Sequence, residues 1–362
     1  MECPSVTASD RIGAAPDGGR PFFVWRHGRS SPGRHDTVTY TQHPSARARD
    51  VRNKAILMGA MALAAFAADA GLAERPGLLA RWRDARGAQQ RTSADATVHD
   101  LSIAAQQRRY RLLDAHRGSG PAPLIVALHG GGGNGASMIA RWADQARRAR
   151  AIVAAPDGIG RNDRMGTWNA GGCCGEAASR GVDDVAFVAA VIDDVARRTA
   201  VDPRRIYVTG FSNGGMLTHR VAIALGDRIA AAAVVSGAMF GNEPRAVAPV
   251  PMLVIHGERD DVVPFAGGTS PKGFVGRMQT RPFLATRRSV DAWRTTNGCT
   301  AAPTMTRTAD AVVETSTGCS SGAEVRFVDR RAGEHEWPDA RGADGAFDAS
   351  ATIWQFFAAH RR

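Results

Sequence analysis

The chain has 362 residues, of which 44% are hydrophobic and 22% are charged, and its formal net charge is +11. This composition is ordinary for a globular protein and excludes a fibrous or wholly disordered chain. The basic residues are nearly all Arg, with Lys only at Lys54 and Lys272, and they are scattered rather than gathered into one stripe with interleaved aromatic residues. We therefore do not predict a nucleic-acid partner, although the net charge alone would suggest one.

The first part of the chain has the composition of a leader. Residues 1–50 follow no steady period and are rich in Gly, Pro, Arg and Ser. Residues 51–73 have the pattern of a secretory signal peptide, because Arg52 and Lys54 precede a short apolar stretch that ends in small residues. The stretch is shorter than the roughly 20 residues of a membrane-spanning helix. A buried Ala-rich helix is the alternative reading.

A signal peptide belongs at the amino terminus, which leads to expectations about the start of the chain. We expect translation to begin near Val51 and residues 1–50 to be a non-native or disordered leader. The mature protein is then extracellular or periplasmic, with no membrane association after signal cleavage. Residues 74–96 are expected to be a lead-in segment. Amino-terminal sequencing tests this, and a mature start upstream of Ala55 would contradict export.

From residue 97 to the end, apolar strands alternate with amphipathic helices. Strands that are apolar on both faces and alternate with helices predict an α/β fold with a mostly parallel sheet covered on both sides. We expect one domain over residues 97–362. The predicted strands lie at 108–115, 123–133, 151–158, 205–210, 229–237, 251–257 and 324–329. The predicted helices lie at 137–150, 183–199, directly after Ser212, at 285–298 and at 347–360.

The sequence G-F-S-N-G at residues 210–214 lies at a predicted strand-to-helix boundary. Such a turn holds the serine in a strained conformation with its hydroxyl above the sheet, and the glycines leave room for the neighbouring strand and helix. The dipole of the following helix favours negative charge at the site. Ser212 is therefore a candidate nucleophile. A Gly-rich turn with a capping serine would have the same local sequence.

A serine hydroxyl needs a base that takes its proton, and on this fold the chain order is Ser, acid, His. Asp260 and Asp261 follow a predicted buried strand, and His335 lies in a loop after a later strand. Each alone could be an ordinary loop residue. All three types in the required order at strand ends predict a catalytic row with Ser212.

The reaction also needs donors for the oxyanion. Glycines follow the first central strand in L-H-G-G-G-G-N-G, and they allow backbone N–H groups to approach a substrate closely. The candidate donors are the N–H groups of Gly131, Gly132 and Asn213. A phosphate-binding loop is excluded, because no Lys-Ser/Thr follows the glycines.

As an ordered set, HGGGGNG, TWNAGGCCG, VDDVAFV, RIYVTGFSNGGM, HGERDDVVPF and GEHEWP resemble the secreted polyhydroxybutyrate-depolymerase-like esterases, relatives of feruloyl and acetylxylan esterases. The resemblance runs from about Tyr110 to the carboxyl terminus and implies the α/β-hydrolase fold. It implies Ser212 as nucleophile, His335 as base and Asp260 as acid, with Asp261 as the second choice.

The resemblance also implies a substrate cleft bordered by Trp168, Asn169 and Trp337. Two departures from the family pattern have consequences. Glu334 and Glu336 flank His335, which places two carboxylates next to the predicted base. The nucleophile box reads F-S-N where several depolymerases have L-S-A, which argues against polymer as the substrate.

Five cysteines are present, and Cys3 lies in the leader. The other four permit three pairings, and disulfides persist in exported proteins. We predict a Cys299–Cys319 disulfide. Cys173 and Cys174 are adjacent and form either a vicinal disulfide or two thiols. No His/Cys cluster has zinc spacing, and we expect neither a metal nor a cofactor.

The leading functional hypothesis is a secreted serine esterase that works through an acyl-enzyme. A serine peptidase or amidase on the same fold and a catalytically inactive binding protein are the alternatives. Hydroxyalkanoate oligomers, polyhydroxybutyrate-type esters, feruloyl esters and acetyl esters all fit the resemblance. A soluble ester or oligomer is favoured over a crystalline polymer, because no polymer-binding module or Ser/Thr-rich linker is visible. The oligomeric state stays open.

Overall fold

The computed structural model describes residues 95–104, 106–160, 165–339 and 347–362. The predicted leader, the signal peptide and nearly all of the lead-in segment lie outside the described residues. Their assignments therefore stay predictions.

Ten strands of the described residues form one sheet. They are β1 (Thr97–Ile103), β2 (Gln106–Asp114), β3 (Ala122–Leu128), β4 (Ile152–Pro156), β5 (Val201–Phe211), β6 (Ala231–Val235), β7 (Met252–Gly257), β8 (Thr304–Arg307), β9 (Ala311–Ser316) and β10 (Val325–Arg330). The spatial order is β1-β2-β4-β3-β5-β6-β7-β10-β9-β8. The central pairs, from β4 through β3, β5, β6 and β7 to β10, are parallel. Antiparallel pairs extend the sheet at both edges. The sheet is therefore mostly parallel, as predicted.

Seven α-helices are found in the described part of the chain. They are α1 (Gly135–Ala149), α2 (Gly175–Ser179), α3 (Asp184–Arg198), α4 (Asn213–Ala224), α5 (Gly273–Met278), α6 (Thr286–Thr296) and α7 (Ala349–Ala358). None of the helices that the structure describes is long and apolar enough to cross a membrane. Side-chain caps set three helix starts. Asn134 accepts the Ser137 N–H at 3.1 Å, Asp183 accepts the Ala186 N–H at 2.9 Å, and Asp348 accepts the Ala351 N–H at 2.9 Å.

The sheet separates two hydrophobic cores. Every residue of β3 is buried, and successive side chains point to opposite faces. Leu124 and Val126 pack in the core that includes α3, α4 and α6, whereas Ile125 and Ala127 pack in the core that includes α1 and α7. Burial of each large aliphatic side chain contributes roughly 1.5–3 kcal/mol. This two-sided burial explains why the central strands are apolar without alternation.

The sheet orientation brings the candidate functional loops together. Because β3, β5, β7 and β10 are parallel, their carboxyl ends lie at one edge of the sheet. The loops that leave this edge carry the Gly-rich segment, Ser212, Asp260 and His335. Ligands of open α/β sheets bind at this edge.

Candidate active site

Ser212 lies in the turn between β5 and α4. Its backbone has φ 54° and ψ −121°, a conformation that L-residues rarely adopt. A Cβ at Gly210 would lie 2.2 Å from the Gly214 oxygen, and one at Gly214 would lie 2.4 Å from the His129 oxygen. Both positions therefore require glycine. The Ser212 side chain does not cap α4, so its hydroxyl is available for another partner.

Three side chains form a hydrogen-bonded row above this turn. The Ser212 hydroxyl donates to His335 Nε2 at 2.9 Å, and His335 Nδ1–H donates to Asp260 Oδ2 at 2.8 Å. The tautomer follows from the partners, because a carboxylate can only accept. The arrangement can pass the serine proton to the imidazole and stabilise the imidazolium that results.

Asp260 is held by more than the imidazole. Its Oδ1 accepts the N–H groups of Val262 at 2.9 Å and Val263 at 2.7 Å. His256 Nε2 lies 3.3 Å from Oδ2 and also donates to the Val263 carbonyl at 2.9 Å. Desolvation raises the pKa of Asp260, but the hydrogen bonds from His256 and His335 outweigh it and hold that pKa far below its usual range. The carboxylate is therefore ionised at any working pH.

The loops of the acid and the histidine are docked against each other through their backbones. The Glu258 N–H donates to the Arg330 carbonyl at 2.9 Å, and the Arg259 N–H donates to the Gly333 carbonyl at 3.0 Å. A Cβ at Gly257 would lie 2.2 Å from the Gly333 oxygen, so only glycine permits this contact. This pairing of Arg259 with Gly333 brings Asp260, the residue after Arg259, against His335, which follows Gly333 by two residues.

Asp261, the second choice for the acid, does not reach the imidazole. Its side chain is exposed and forms an ion pair with Lys272. Of the two carboxylates that flank His335, that of Glu336 accepts a hydrogen bond from Arg330 at 2.7 Å.

The three expected oxyanion donors differ in their availability. The Gly132 N–H donates to the Gly166 carbonyl at 2.8 Å and is therefore already engaged, which corrects the expectation for this residue. The Gly131 N–H has no acceptor among the described residues. As the first residue of α4, Asn213 has an N–H without an intrahelical acceptor. A Cβ at Gly131 would lie 3.8 Å from the Asn213 Cβ, so the two backbones are neighbours.

The Asn213 side chain joins the nucleophile turn to a second loop. Its Oδ1 accepts the Trp168 N–H at 2.7 Å, and its Nδ2 donates to the Trp168 carbonyl at 3.1 Å. The Trp168 indole Nε1–H donates to the His129 carbonyl at 2.8 Å. The loop of Trp168 therefore supports both sides of the expected oxyanion site. The sequence pattern carried no signal for this role.

The His129 imidazole holds the Gly-rich segment in place through two hydrogen bonds. The Gly158 N–H donates to Nε2 at 2.9 Å, so the proton lies on Nδ1, which donates to the Gly130 carbonyl at 2.8 Å. Burial lowers the pKa of His129 to about 4, and the hydrogen bond with Gly130 offsets only part of this effect. The imidazole is therefore neutral at neutral pH.

The residues expected at the cleft border have structural partners. Trp168 is fully buried, and Trp337 is 5% exposed with its Nε1–H donated to the Ser350 hydroxyl at 3.2 Å. Asn169 is half-buried and donates through Nδ2 to the Val182 carbonyl at 2.9 Å. Neither indole presents an open face to solvent. Phe211, which sequence reasoning did not single out, lies beside His335 with the ring centroids 5.0 Å apart and the ring planes tilted by 34°.

All four cysteines of the described part of the chain are in disulfides. Cys299 pairs with Cys319, as predicted, and joins the end of α6 to the segment after β9. Cys173 and Cys174 form a vicinal disulfide, which decides between the two states considered from the sequence. This pair lies in a small apolar cluster that includes Met216 of α4.

A cavity lies apart from the row of Ser212, His335 and Asp260. This cavity of about 480 Å³ is bordered mostly by polar residues of β2 and the segment after β4, and none of the three side chains lines it. Within the described ranges, no group of three His, Cys, Asp or Glu side chains could hold a metal ion.

Comparison with known proteins identifies the fold and several esterase relatives. The model of a family described as the alpha/beta hydrolase fold matches residues 123–297. Feruloyl esterase B of Piromyces equi is 31% identical over 238 residues, which are 62% of this chain and 41% of that protein. The candidate esterase NocK of Nocardia uniformis subsp. tsuyamanensis is 31% identical over 278 residues, which are 69% of this chain and 77% of that protein.

A solved structure gives the same picture of the fold. The acetyl xylan esterase from Aspergillus awamori superposes with a TM-score of 0.51 and 14% sequence identity, over 72% of this chain and 99% of that one. At this identity the similarity concerns the fold. The sequence relatives of this chain differ in length, and the match spans only 41% of the length of feruloyl esterase B.

Proposed function

This chain belongs to the α/β-hydrolase fold family, and from that premise we propose that it is an exported serine esterase that hydrolyses carboxylic esters through an acyl-enzyme. The observation that carries the proposal is the continuous hydrogen-bonded row from the Ser212 hydroxyl through His335 to Asp260. The named relatives are a feruloyl esterase and a candidate esterase. The resemblance found in the sequence is of the same class.

Acylation begins when Ser212 Oγ attacks the ester carbonyl carbon. His335 Nε2 takes the hydroxyl proton as the new C–O bond forms, and Asp260 stabilises the imidazolium. The carbonyl oxygen becomes an oxyanion, which accepts hydrogen bonds from the N–H groups of Gly131 and Asn213. Loss of one such donor typically costs about 3 kcal/mol of transition-state stabilisation. The intermediate collapses, the ester C–O bond breaks, and Nε2–H gives its proton to the leaving alcohol.

Deacylation repeats these steps with water. His335 Nε2, now unprotonated, takes a proton from a water molecule that attacks the acyl carbon. The same two N–H groups hold the second oxyanion. The bond to Ser212 Oγ breaks, the serine regains its proton from the imidazolium, and the carboxylic acid leaves.

Export and substrate class belong to the same proposal. Two disulfides in the described part of the chain are typical of an oxidising compartment, and the signal pattern in residues 51–73 has the same meaning. Ferulate, acetate and hydroxyalkanoate esters are the substrates to test, because relatives are named for the first two and the sequence resemblance adds the third.

A panel of these esters tests the proposal with wild type beside the Ser212→Ala variant. We expect wild type to hydrolyse at least one acyl class and the variant to lose at least about 10⁴-fold in kcat on that ester. Ser137→Ala is a matched control, since this serine lies in α1 and bonds only within its own helix turn. An S212A variant that retains wild-type rates would contradict the mechanism.

A further inference from the structure

The guanidinium of Arg141 lies over aromatic rings beside the proposed active site. Arg141 belongs to the second turn of α1, and its side chain is exposed. Its Cζ lies 5.5 Å from the centroid of the Phe211 ring and 5.8 Å from that of Trp337. Phe211 precedes the nucleophile, and its ring lies beside that of His335. The cation is therefore separated from the imidazole by one aromatic side chain.

Arg141 differs from the other arginines of its helix. Arg147 forms ion pairs with Asp95 and Asp144, and Arg148 donates two hydrogen bonds to the Gln145 amide oxygen. Among the described residues, the Arg141 guanidinium lies over the two rings and interacts electrostatically with Asp339, but it donates no hydrogen bond. Its five N–H donors therefore have no acceptor among the described residues.

The charge of this group is retained. Desolvation lowers the pKa of the Arg141 guanidinium, and the nearby carboxylate of Asp339 raises it. An arginine starts so far above neutrality that it stays protonated in proteins. The aromatic rings orient the planar group without consuming its hydrogen-bond donors. The result is a fixed cation at the rim of the site.

The position of Arg141 relative to His335 decides which part of the substrate can contact the guanidinium. His335 gives its proton to the leaving alcohol, so the alcohol part of the ester lies on the imidazole side of the reacting carbon. Phe211 lies beside this imidazole, and the Arg141 guanidinium lies over Phe211. When the alcohol part of the ester is a 3-hydroxyacid, only two carbon atoms separate the ester oxygen from the carboxylate group. Such a carboxylate can reach a guanidinium that lies one aromatic ring from the imidazole.

We propose that Arg141 is a specificity-determining residue that binds a carboxylate on the alcohol part of the ester, as in the free-acid end of a hydroxyalkanoate oligomer. This inference rests on the proposed esterase function and narrows its substrate class. Arg141 takes no part in bond making. It binds the leaving hydroxyacid through charge-assisted hydrogen bonds.

The test compares two substrates that differ in one charge. They are the linear dimer of 3-hydroxybutyrate as the free acid and the same dimer with a primary amide in place of its carboxylate. The measured quantity is the ratio of kcat/KM for the acid to that for the amide. Arg141→Gln is expected to lower this ratio at least 10-fold, because hydrogen bonds to charged groups are stronger than those between neutral groups. Arg141→Lys should keep part of the preference.

Controls separate this inference from the proposed function. Arg148→Gln removes an equally exposed charge from the same helix and should leave the ratio unchanged. Added salt should lower the wild-type ratio, since the interaction is between charges. A ratio unaffected by Arg141→Gln, or an enzyme that cleaves other esters but neither dimer, overturns the inference and leaves the esterase proposal standing. A wild-type protein that cleaves no ester overturns both.

Discussion

Replacing His129 by Gln is expected to remove part of the acid sensitivity of the fold. In the native protein the neutral imidazole holds the Gly-rich segment, because Nε2 accepts the Gly158 N–H at 2.9 Å and Nδ1–H donates to the Gly130 carbonyl at 2.8 Å. A proton on Nε2 would turn this acceptor into a donor that faces another donor. A Gln side chain can place its amide oxygen near the Nε2 position, and it does not titrate.

The size of the effect follows from the pKa of His129. Burial lowers that pKa from 6.5 to about 4 in the folded protein. Below pH 6.5 the His129 imidazole of the unfolded chain takes up a proton, whereas that of the folded protein stays neutral. The free energy of unfolding therefore decreases as the pH is lowered, until the folded imidazole also protonates near pH 4. At about 1.4 kcal/mol per pKa unit, His129 alone accounts for a loss of about 3 kcal/mol across this window. Above pH 6.5 the contribution is constant.

The assay is urea unfolding of wild type and His129→Gln at pH 7.5 and pH 4.5, followed by tryptophan fluorescence. The change in unfolding free energy between the two pH values is compared, so that any fixed effect of the substitution cancels. Wild type should lose about 2 to 3 kcal/mol more than the variant. Equal losses in the two proteins would refute the reasoning. His219 is also buried with a lowered pKa and contributes equally to both proteins.

Three further predictions concern single contacts. Asn213→Ala leaves the buried Trp168 N–H without its acceptor and should lower the unfolding free energy by about 1–3 kcal/mol in urea titration; a loss below about 0.5 kcal/mol would show that this contact contributes little. Asp260→Asn should lower kcat about 10⁴-fold with little change in KM, and a loss under tenfold would argue against its proposed role. Replacing Cys299 and Cys319 by Ser should destabilise the protein by about 3 kcal/mol, since their sequence separation is 20; an unchanged urea midpoint would contradict this estimate.

The sequence predicts the centre of the sheet better than its edges. β3, β4, β6 and β7 are uniformly buried and almost entirely apolar because helices cover both of their faces, and this pattern can be recognised in the sequence alone. β1, β8 and β9 were not predicted, and β9 combines buried apolar residues with the buried polar residues Glu314 and Ser316. Most of β1 and all of β8 are exposed or half-exposed, so their residues carry no comparable hydrophobic signal. Their pairing with neighbouring strands decides their conformation.

The residues of the candidate site were likewise predicted only in part. Motif spacing identified the residues that the structure brings together at Ser212, because a strand-to-helix turn and strand-end loops leave local signatures. It did not reveal that the Gly132 N–H is engaged by Gly166, since that partner is distant in sequence. Nor did it distinguish Arg141 from the many other arginines. Its position over Phe211 arises only from the packing of α1 beside the nucleophile turn.

The serine mechanism is tested most directly by covalent labelling. Wild type and Ser212→Ala are incubated with a serine-directed fluorophosphonate, and the adduct is located by mass spectrometry of the digested protein. We expect one phosphonyl group per chain, on the peptide that contains Ser212, with loss of esterase activity in proportion to labelling and no adduct in the variant. Full inactivation with the label on another residue, or esterase activity that survives complete modification of Ser212, would contradict the mechanism.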